Sequence, residues 1–415
     1  MWDKDESEIP RTQFDQRTEN VRQFAIDHDL SAVVVYSAPR IHQWAQTGHV
    51  GYLTNWSNLD RCVDTAVVVP RKGEPVLLVP GVEYMFEQIA EVSWLEDIQL
   101  VSSPDPRAIS GAYAGAVGGD EATKGTLSMG QEIRHILECR DLFNRPIAIS
   151  GLEAMPAMSY QDLLTSLDGK IVPDLPDIVA DLRSIKSPQE TLLLKQVAAV
   201  SDRCYETMLE ALTDDIMGYE LSAEMDRTAK LAGADFVYNT VHTAPGGDLK
   251  AGKLSLKAHD CPVQRGDYLS VNAYVVYKGY WIQSDRTGTL GPSLGSTAGQ
   301  MTEANFRVQD EVLALIRPGL KIGDLLQIAN RAAENNGYCI QGERIGHGQG
   351  LDYSEQPFLI AGSQETLKPG HVFVLHVCLG LPGTNVLINP IADLCHVTED
   401  GVDVLNQFPR GLFHG

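Results

Sequence analysis

Apolar residues recur at helical spacing over residues 17–28 (Val21, Phe24, Ala25) and then form an unbroken run through residues 31–37, SAVVVYS. The first pattern buries one face of a helix; the second, short and β-branched, suits a strand. Two further runs, residues 64–70 and 75–80, flank Arg71-Lys72-Gly73-Glu74 and predict a hairpin. A helix is expected over residues 82–90 and a strand over 146–150. The glycine-rich stretch between them, residues 111–125, lacks the Gly-Lys-Ser/Thr ending and the GxGxxG spacing of a phosphate loop and reads as a connection. This alternation predicts an α/β domain over residues 1–180.

The texture changes from residue 181. Ser187-Pro188-Gln189-Glu190 combines a serine cap, a proline at the first helical position and an acid in the first turn, so a long amphipathic helix is expected there. Residues 219–232 and 322–335 read as two more helices. Residues 267–282 read as two strands around the Lys278-Gly279 turn, and residues 372–379 (VFVLHVCL) as another strand. Helices beside an antiparallel sheet make an α+β domain over residues 181–415. Arg265-Gly266-Asp267 and Lys368-Pro369-Gly370 each introduce a strand, which suggests a duplicated half-domain.

The charge balance narrows the partners. Against 33 Lys+Arg stand 55 Asp+Glu, a net charge of −22 that repels polyanions and disfavours nucleic acid. A small molecule and a second subunit are the expected partners. No apolar run reaches the ~18 residues of a membrane span, and the acidic start lacks the basic and apolar regions of a secretory signal, so a cytoplasmic protein is expected. Seven widely spaced cysteines form neither a disulfide framework nor a CxxC knuckle.

Six phrases in order carry a resemblance: RSIKSPQE, RGDYLSVNAYVVYKGYWIQSDRT, IRPGLKIGDLLQIANRAAENNGY, IGHGQGLDYSEQP, LKPGHVFVLHVCL and VTEDGVDVLNQFP. Residues 181–415 resemble the pita-bread family of creatinase, prolidase, aminopeptidase P and methionine aminopeptidase, and the N-terminal half is similar to that of the longer two-domain members. The resemblance implies a homodimer with the site near the subunit interface. It also implies, for the peptidase branch, two metal ions held by two Asp, one His and two Glu. Along the matched phrases those positions hold Asn272, Gln283, His347, His376 and Ala392, or Asp393 if the last is shifted by one, while Ser354 replaces a further histidine. Neutral amides and an alanine cannot supply the negative charge two divalent ions require. The resemblance therefore points to the creatinase-like, metal-independent branch and to no cofactor.

The expected pocket combines His347, His376 and Asp285 with Lys253 or His242 on the loop before Arg265-Gly266-Asp267. Two imidazoles near a carboxylate suit acid/base work near neutral pH. Asn272, Gln283 and Tyr280 are expected to donate hydrogen bonds to a substrate carbonyl or oxyanion. Arg61, near the position from which creatinase sends an arginine to the partner's substrate, is expected to clamp a carboxylate, and Glu355 to line the entrance. The expected activity is hydrolysis of an amide or amidine C–N bond in a small polar, carboxylated metabolite. The alternatives are a lyase or decarboxylase on the same scaffold, an enzyme with one metal on His347, His376 and Asp285, and a non-catalytic domain that binds peptides or proteins.

Overall fold

The computed structural model describes residues 8–38, 48–56, 64–80, 84–102, 127–249, 262–291 and 297–415, and the chain divides into two compact units, Met1–Arg183 and Ser184–Gly415. Arg61, Lys253 and the glycine-rich stretch 111–125 lie outside the described residues.

In the first unit, strands β1 (Ala32–Ser37), β2 (Thr65–Pro70) and β3 (Val76–Pro80) are buried along their whole length, which is why they read as continuous apolar runs. With β4 (Ile98–Val101), β5 (Ile147–Ser150) and β6 (Ile171–Val172) they form a mixed sheet in the order β4-β3-β2-β1-β5-β6. The β2–β3 hairpin is antiparallel, and Gly73 supplies φ 100° in its turn. Val34, Tyr36, Val68 and Leu78 pack against Ile133, Leu137 and Leu163 of the helices Met129–Cys139 and Ala157–Ser166. The first helix begins at Arg11 rather than residue 17, because Phe14, one turn before the recognised pattern, is buried.

The second unit opens on the helix Pro188–Ala211. Ser187 Oγ accepts from Glu190 N at 3.2 Å and Glu190 Oε2 accepts from Ser187 N at 3.0 Å, a reciprocal cap with proline at the first turn. This helix and Gly218–Leu231 pack on a sheet of β7 (Phe236–Ala244), β8 (Tyr268–Tyr277) and β9 (Tyr280–Thr289). β10 (Cys339–Ile340), β14 (Leu379–Gly380) and β15 (Leu387–Ile388) form a small sheet. β11 (Arg344–Gly348), β12 (Glu355–Ile360), β13 (Val372–Leu375), β16 (Asp393–Val397) and β17 (Val402–Val404) form an antiparallel one in the order β12-β11-β13-β16-β17. The helices Thr297–Leu313 and Ile322–Asn335 cover it, with Val308, Leu325 and Ala329 against Ile345, Leu359 and Phe373. The short β18 (Phe413–His414) runs parallel to β9 at the edge of the first sheet.

Each of the two larger sheets thus carries its own pair of helices, and each has a glycine of positive φ ahead of a strand: Gly266 (88°) before β8 and Gly370 (87°) before β13. Two elements depart from expectation. β9 runs on to Thr289 because its polar residues QSDRT are buried, so polarity disguised them as a loop. The run VFVLHVCL splits into β13 and β14, since the chain changes partners: His376 N still donates to Ile345 O, but Cys378 O accepts from Gln341 N beside the small sheet. Among the described residues no helix is long and apolar enough to cross a membrane.

Candidate active site

Strand alternation decides which side chains of β9 reach the site. Tyr280, Ser284 and Arg286 face the helix Pro188–Ala211: Tyr280 donates to Glu190 Oε1 (3.0 Å), Ser284 meets Ser201 (2.6 Å), and the Arg286 guanidinium lies 5.7 Å from the Tyr205 ring. Gln283 and Asp285 lie on the opposite face, with Asn272 paired in register to Asp285 across the β8–β9 hairpin. Tyr280 is therefore on the wrong side of the sheet for the expected substrate contact.

Asp285 is the common acceptor of the site. Its Oδ1 accepts from Asn272 Nδ2 at 2.7 Å, and its Oδ2 from Gln283 Nε2 and Asn389 Nδ2, both at 3.3 Å. Behind Asn272, Thr240 Oγ1 donates to Asn272 Oδ1 (3.1 Å), and since that hydroxyl has one hydrogen, it accepts from His242 Nε2 (3.1 Å). Behind Gln283, the Tyr353 hydroxyl donates to Gln283 Oε1. Two chains of donors thus end on one carboxyl group. Burial of Asp285 pushes its pKa up to about 6 against the lowering effect of these donors and of Arg286, while the Asp393 charge raises it further.

His347 stands on β11 between Gly346 and Gly348. A Cβ at Gly346 would lie 2.3 Å from Val374 O, and one at Gly348 2.1 Å from Gln356 O, so the neighbouring strands approach too closely for any side chain beside the histidine. His347 Nδ1 lies 3.1 Å from Gly348 O; a carbonyl only accepts, so Nδ1 carries the hydrogen and Nε2 the lone pair. The His347 ring sits 5.3 Å from that of His376, at 66°, and 5.2 Å from that of Tyr353. Burial holds His347 down to about 4 and His376 down to about 3. Both imidazoles are therefore neutral at pH 7, hydrogen-bonding groups rather than charged proton donors.

Other expected residues have structural partners. Glu355 Oε1 accepts from Lys186 Nζ at 2.6 Å in a buried ion pair, and its Oε2 accepts from Asp352 N, which gives a carboxylate at this position a structural role. Of the two candidates for the last ligand position, Ala392 exchanges backbone hydrogen bonds with Asp285 (3.2 Å each way), whereas Asp393 is held by Arg286 (2.8 Å) and Arg410 (2.7 Å). Tyr353, Asn389 and Gln349, whose Oε1 accepts from Gln283 N, belong to the site and were not foreseen. For Tyr353 a signal existed: it directly precedes Ser354 in the phrase where the family's further histidine is missed.

A pair of divalent ions does not fit these residues. The amide oxygens of Asn272 and Gln283, their only ligating atoms, already accept from Thr240 and Tyr353, while the amide nitrogens face Asp285. Among the described residues, the one group of His, Cys, Asp or Glu whose ligating atoms gather within 4.8 Å is His49, Glu153 and Asp177 in the first unit, so His347, His376 and Asp285 are not drawn together as a one-metal triad. In that other group the Arg183 guanidinium donates to His49 Nδ1 (2.5 Å), leaving Nε2 to carry a hydrogen toward Asp177 (3.2 Å). Asp177 also accepts from Gly151 N and Ala180 N. That arrangement is a hydrogen-bonded brace at the start of the helix Ile178–Ser184 rather than a set of open ligands.

Comparison with known proteins finds relatives for this chain. The model of Metallopeptidase family M24 matches residues 193–399. A curated relative, the probable dipeptidase PepE of Mycobacterium tuberculosis (strain ATCC 25618 / H37Rv), is 25% identical over 357 residues, 84% of either chain. Dipeptidase PepE from Mycobacterium ulcerans superposes with a TM-score of 0.75 at 21% identity, covering 98% of this chain and 99% of its own. The prolidase from Pyrococcus horikoshii OT3 gives 0.75 at 18%, over 96% and 100%. The solved structures establish the pita-bread fold. The relatives overturn the expected creatinase-like, metal-independent cleavage of a non-peptide C–N bond: the matched family is one of metallopeptidases, and the relatives are named for peptides. The lyase and one-metal alternatives go with it, the latter also on the geometry of His347, His376 and Asp285.

Proposed function

We propose that this protein, whose residues 193–399 match the model of Metallopeptidase family M24, hydrolyses short peptides at the site around Asp285. The observation that supports this most directly is the buried Asp285 carboxyl, fed by three amide donors and raised to about 6, where it is shared between its two protonation states near neutrality. As carboxylate it takes a proton from water as the water oxygen attacks the peptide carbonyl carbon. As carboxyl it returns that proton to the amine nitrogen as the C–N bond breaks. Neutral His347 and His376 serve as hydrogen-bonding groups for the substrate. Incubation with a panel of dipeptides in buffer containing Mn²⁺, with free amino acids followed by mass spectrometry, tests the reading: release from at least one dipeptide is expected, and none from any would overturn it.

A second reading, a cleft that binds peptides without turning them over, is favoured by Asn272, Gln283 and Ala392 standing where the peptidase branch has acids. It predicts saturable dipeptide binding with no products.

A further inference from the structure

Asn389 is half-buried, and its Nδ2 faces the Asp285 carboxyl at 3.3 Å, which fixes the sense of the amide: the opposite orientation would set its oxygen against a carboxylate. Its Oδ1 is then withdrawn from solvent with no hydrogen-bond partner among the described residues. His376 Nε2 is in the same condition, in a side chain touching His347 ring to ring. A buried polar atom left unpaired is costly and calls for a partner. The two residues that carry these atoms stand at the ends of one continuous set of contacts running from Asn389 through Asp285, Gln283, Tyr353 and His347 to His376. One can only accept; the other, as the Nε2–H tautomer, donates. A secondary peptide bond offers the complement, one N–H and one C=O.

Resting on the peptide reading above, we infer that Asn389 Oδ1 accepts the N–H of the substrate's peptide bond while His376 Nε2 donates to its carbonyl, so that the site selects secondary peptide bonds over Xaa-Pro and N-methylated ones. An Xaa-Pro bond has no N–H, and in this site it would leave Asn389 Oδ1 unpaired. The substrate class therefore differs from the one for which the prolidase relative is named.

The test measures equilibrium binding at pH 7 of Ala-Ala, Ala-(N-methyl)Ala, Ala-Pro and N-acetyl-Ala-Ala to the full chain and to its Asn389→Ala and Asn389→Ser variants. For the parent, Ala-Ala should bind about 5- to 10-fold more tightly than the N-methyl and proline peptides, the size of one hydrogen bond to a buried acceptor. In either variant that ratio should fall toward one, because Ala-Ala weakens and the others do not. Equal binding of all peptides by the parent, a preference for Ala-Pro, or a ratio unchanged in both folded variants overturns the inference and leaves the peptide reading standing. Loss of binding on N-acetylation without an N-methyl effect puts the donor at the substrate ammonium and also overturns it. Absence of binding by any peptide removes the peptide reading itself, and the inference with it.

Discussion

Asn272 Nδ2 donates to Asp285 Oδ1 across the β8–β9 hairpin at 2.7 Å, with the two residues directly paired in register. A register shift of one residue would put either side chain on the opposite face, so the contact depends on the hairpin turn at Lys278-Gly279, where both residues have positive φ (50° and 78°). The amide keeps this pair together without adding charge, and it leaves the carboxyl free to exchange a proton.

Replacing that carboxyl should stop the chemistry. Asp285→Asn is expected to lower kcat/KM for the best dipeptide by roughly 100-fold or more, the usual contribution of a positioned acid/base group, while far-UV circular dichroism stays that of the parent. In the parent, kcat/KM should fall as pH drops below about 6, where Asp285 becomes protonated. An unchanged acid limb in the variant would show that another group carries the proton.

Stability should also depend on pH, with contributions of opposite sign. His347 and His371 are held down to about 4 by burial, so below their ordinary value of 6.5 the unfolded chain takes up protons that the fold refuses, and stability is lost as pH falls from 6.5 toward 4. Asp285 is raised from 3.8 to about 6, so the fold holds a proton the unfolded chain has given up, and its contribution is lost as pH rises from about 4 to about 6. Each shift corresponds to roughly 3 kcal/mol. The histidines outnumber the carboxyl, so the melting temperature should drop between pH 6.5 and 4.5. In Asp285→Asn the opposing contribution is gone and the drop should be steeper; a shallower one would contradict the raised proton affinity of Asp285.

Lys186 and Glu355 form an ion pair with side chains only 1% and 9% exposed. Lys186→Met leaves a carboxylate buried without its cation and should cost roughly 3–5 kcal/mol, read by urea unfolding. Adding Glu355→Gln should restore part of that loss. Additive losses would mean the two charges do not act as a pair.

Gly346→Ala tests the crowding beside His347. With a Cβ placed 2.3 Å from Val374 O, the strands must part, and the variant should lose more than about 2 kcal/mol in stability together with most peptide turnover. A variant with the parent's melting temperature would show that β11 has room to move.

Much of this was legible in the chain. The strand runs at residues 31–37 and 64–80, the Ser187 cap and the Lys278-Gly279 turn are local signals, and the phrases around them carry the fold. The Gly-His-Gly setting signalled the close backbone approach found on either side of His347. Tyr280 was misread because its period along β9 matters more than its nearness in sequence to Gln283. Glu355 was misread because its partner, Lys186, lies 169 residues away. The imidazoles looked like neutral-pH proton carriers because residue type says nothing of burial, which lowers both. Asn389 gave no signal, since an asparagine before a proline reads as a turn until the strand opposite it is known.

Asp393, clasped by Arg286 from β9 and by Arg410, ties the segment around Arg410 to the strand that carries Asp285. Arg286 Nη1 also donates to the backbone carbonyls of Asp285 and Ala392. A nascent chain would therefore lack this clasp until Arg410 had emerged, so that the setting of Asp285 is completed by a residue made long after β9 itself.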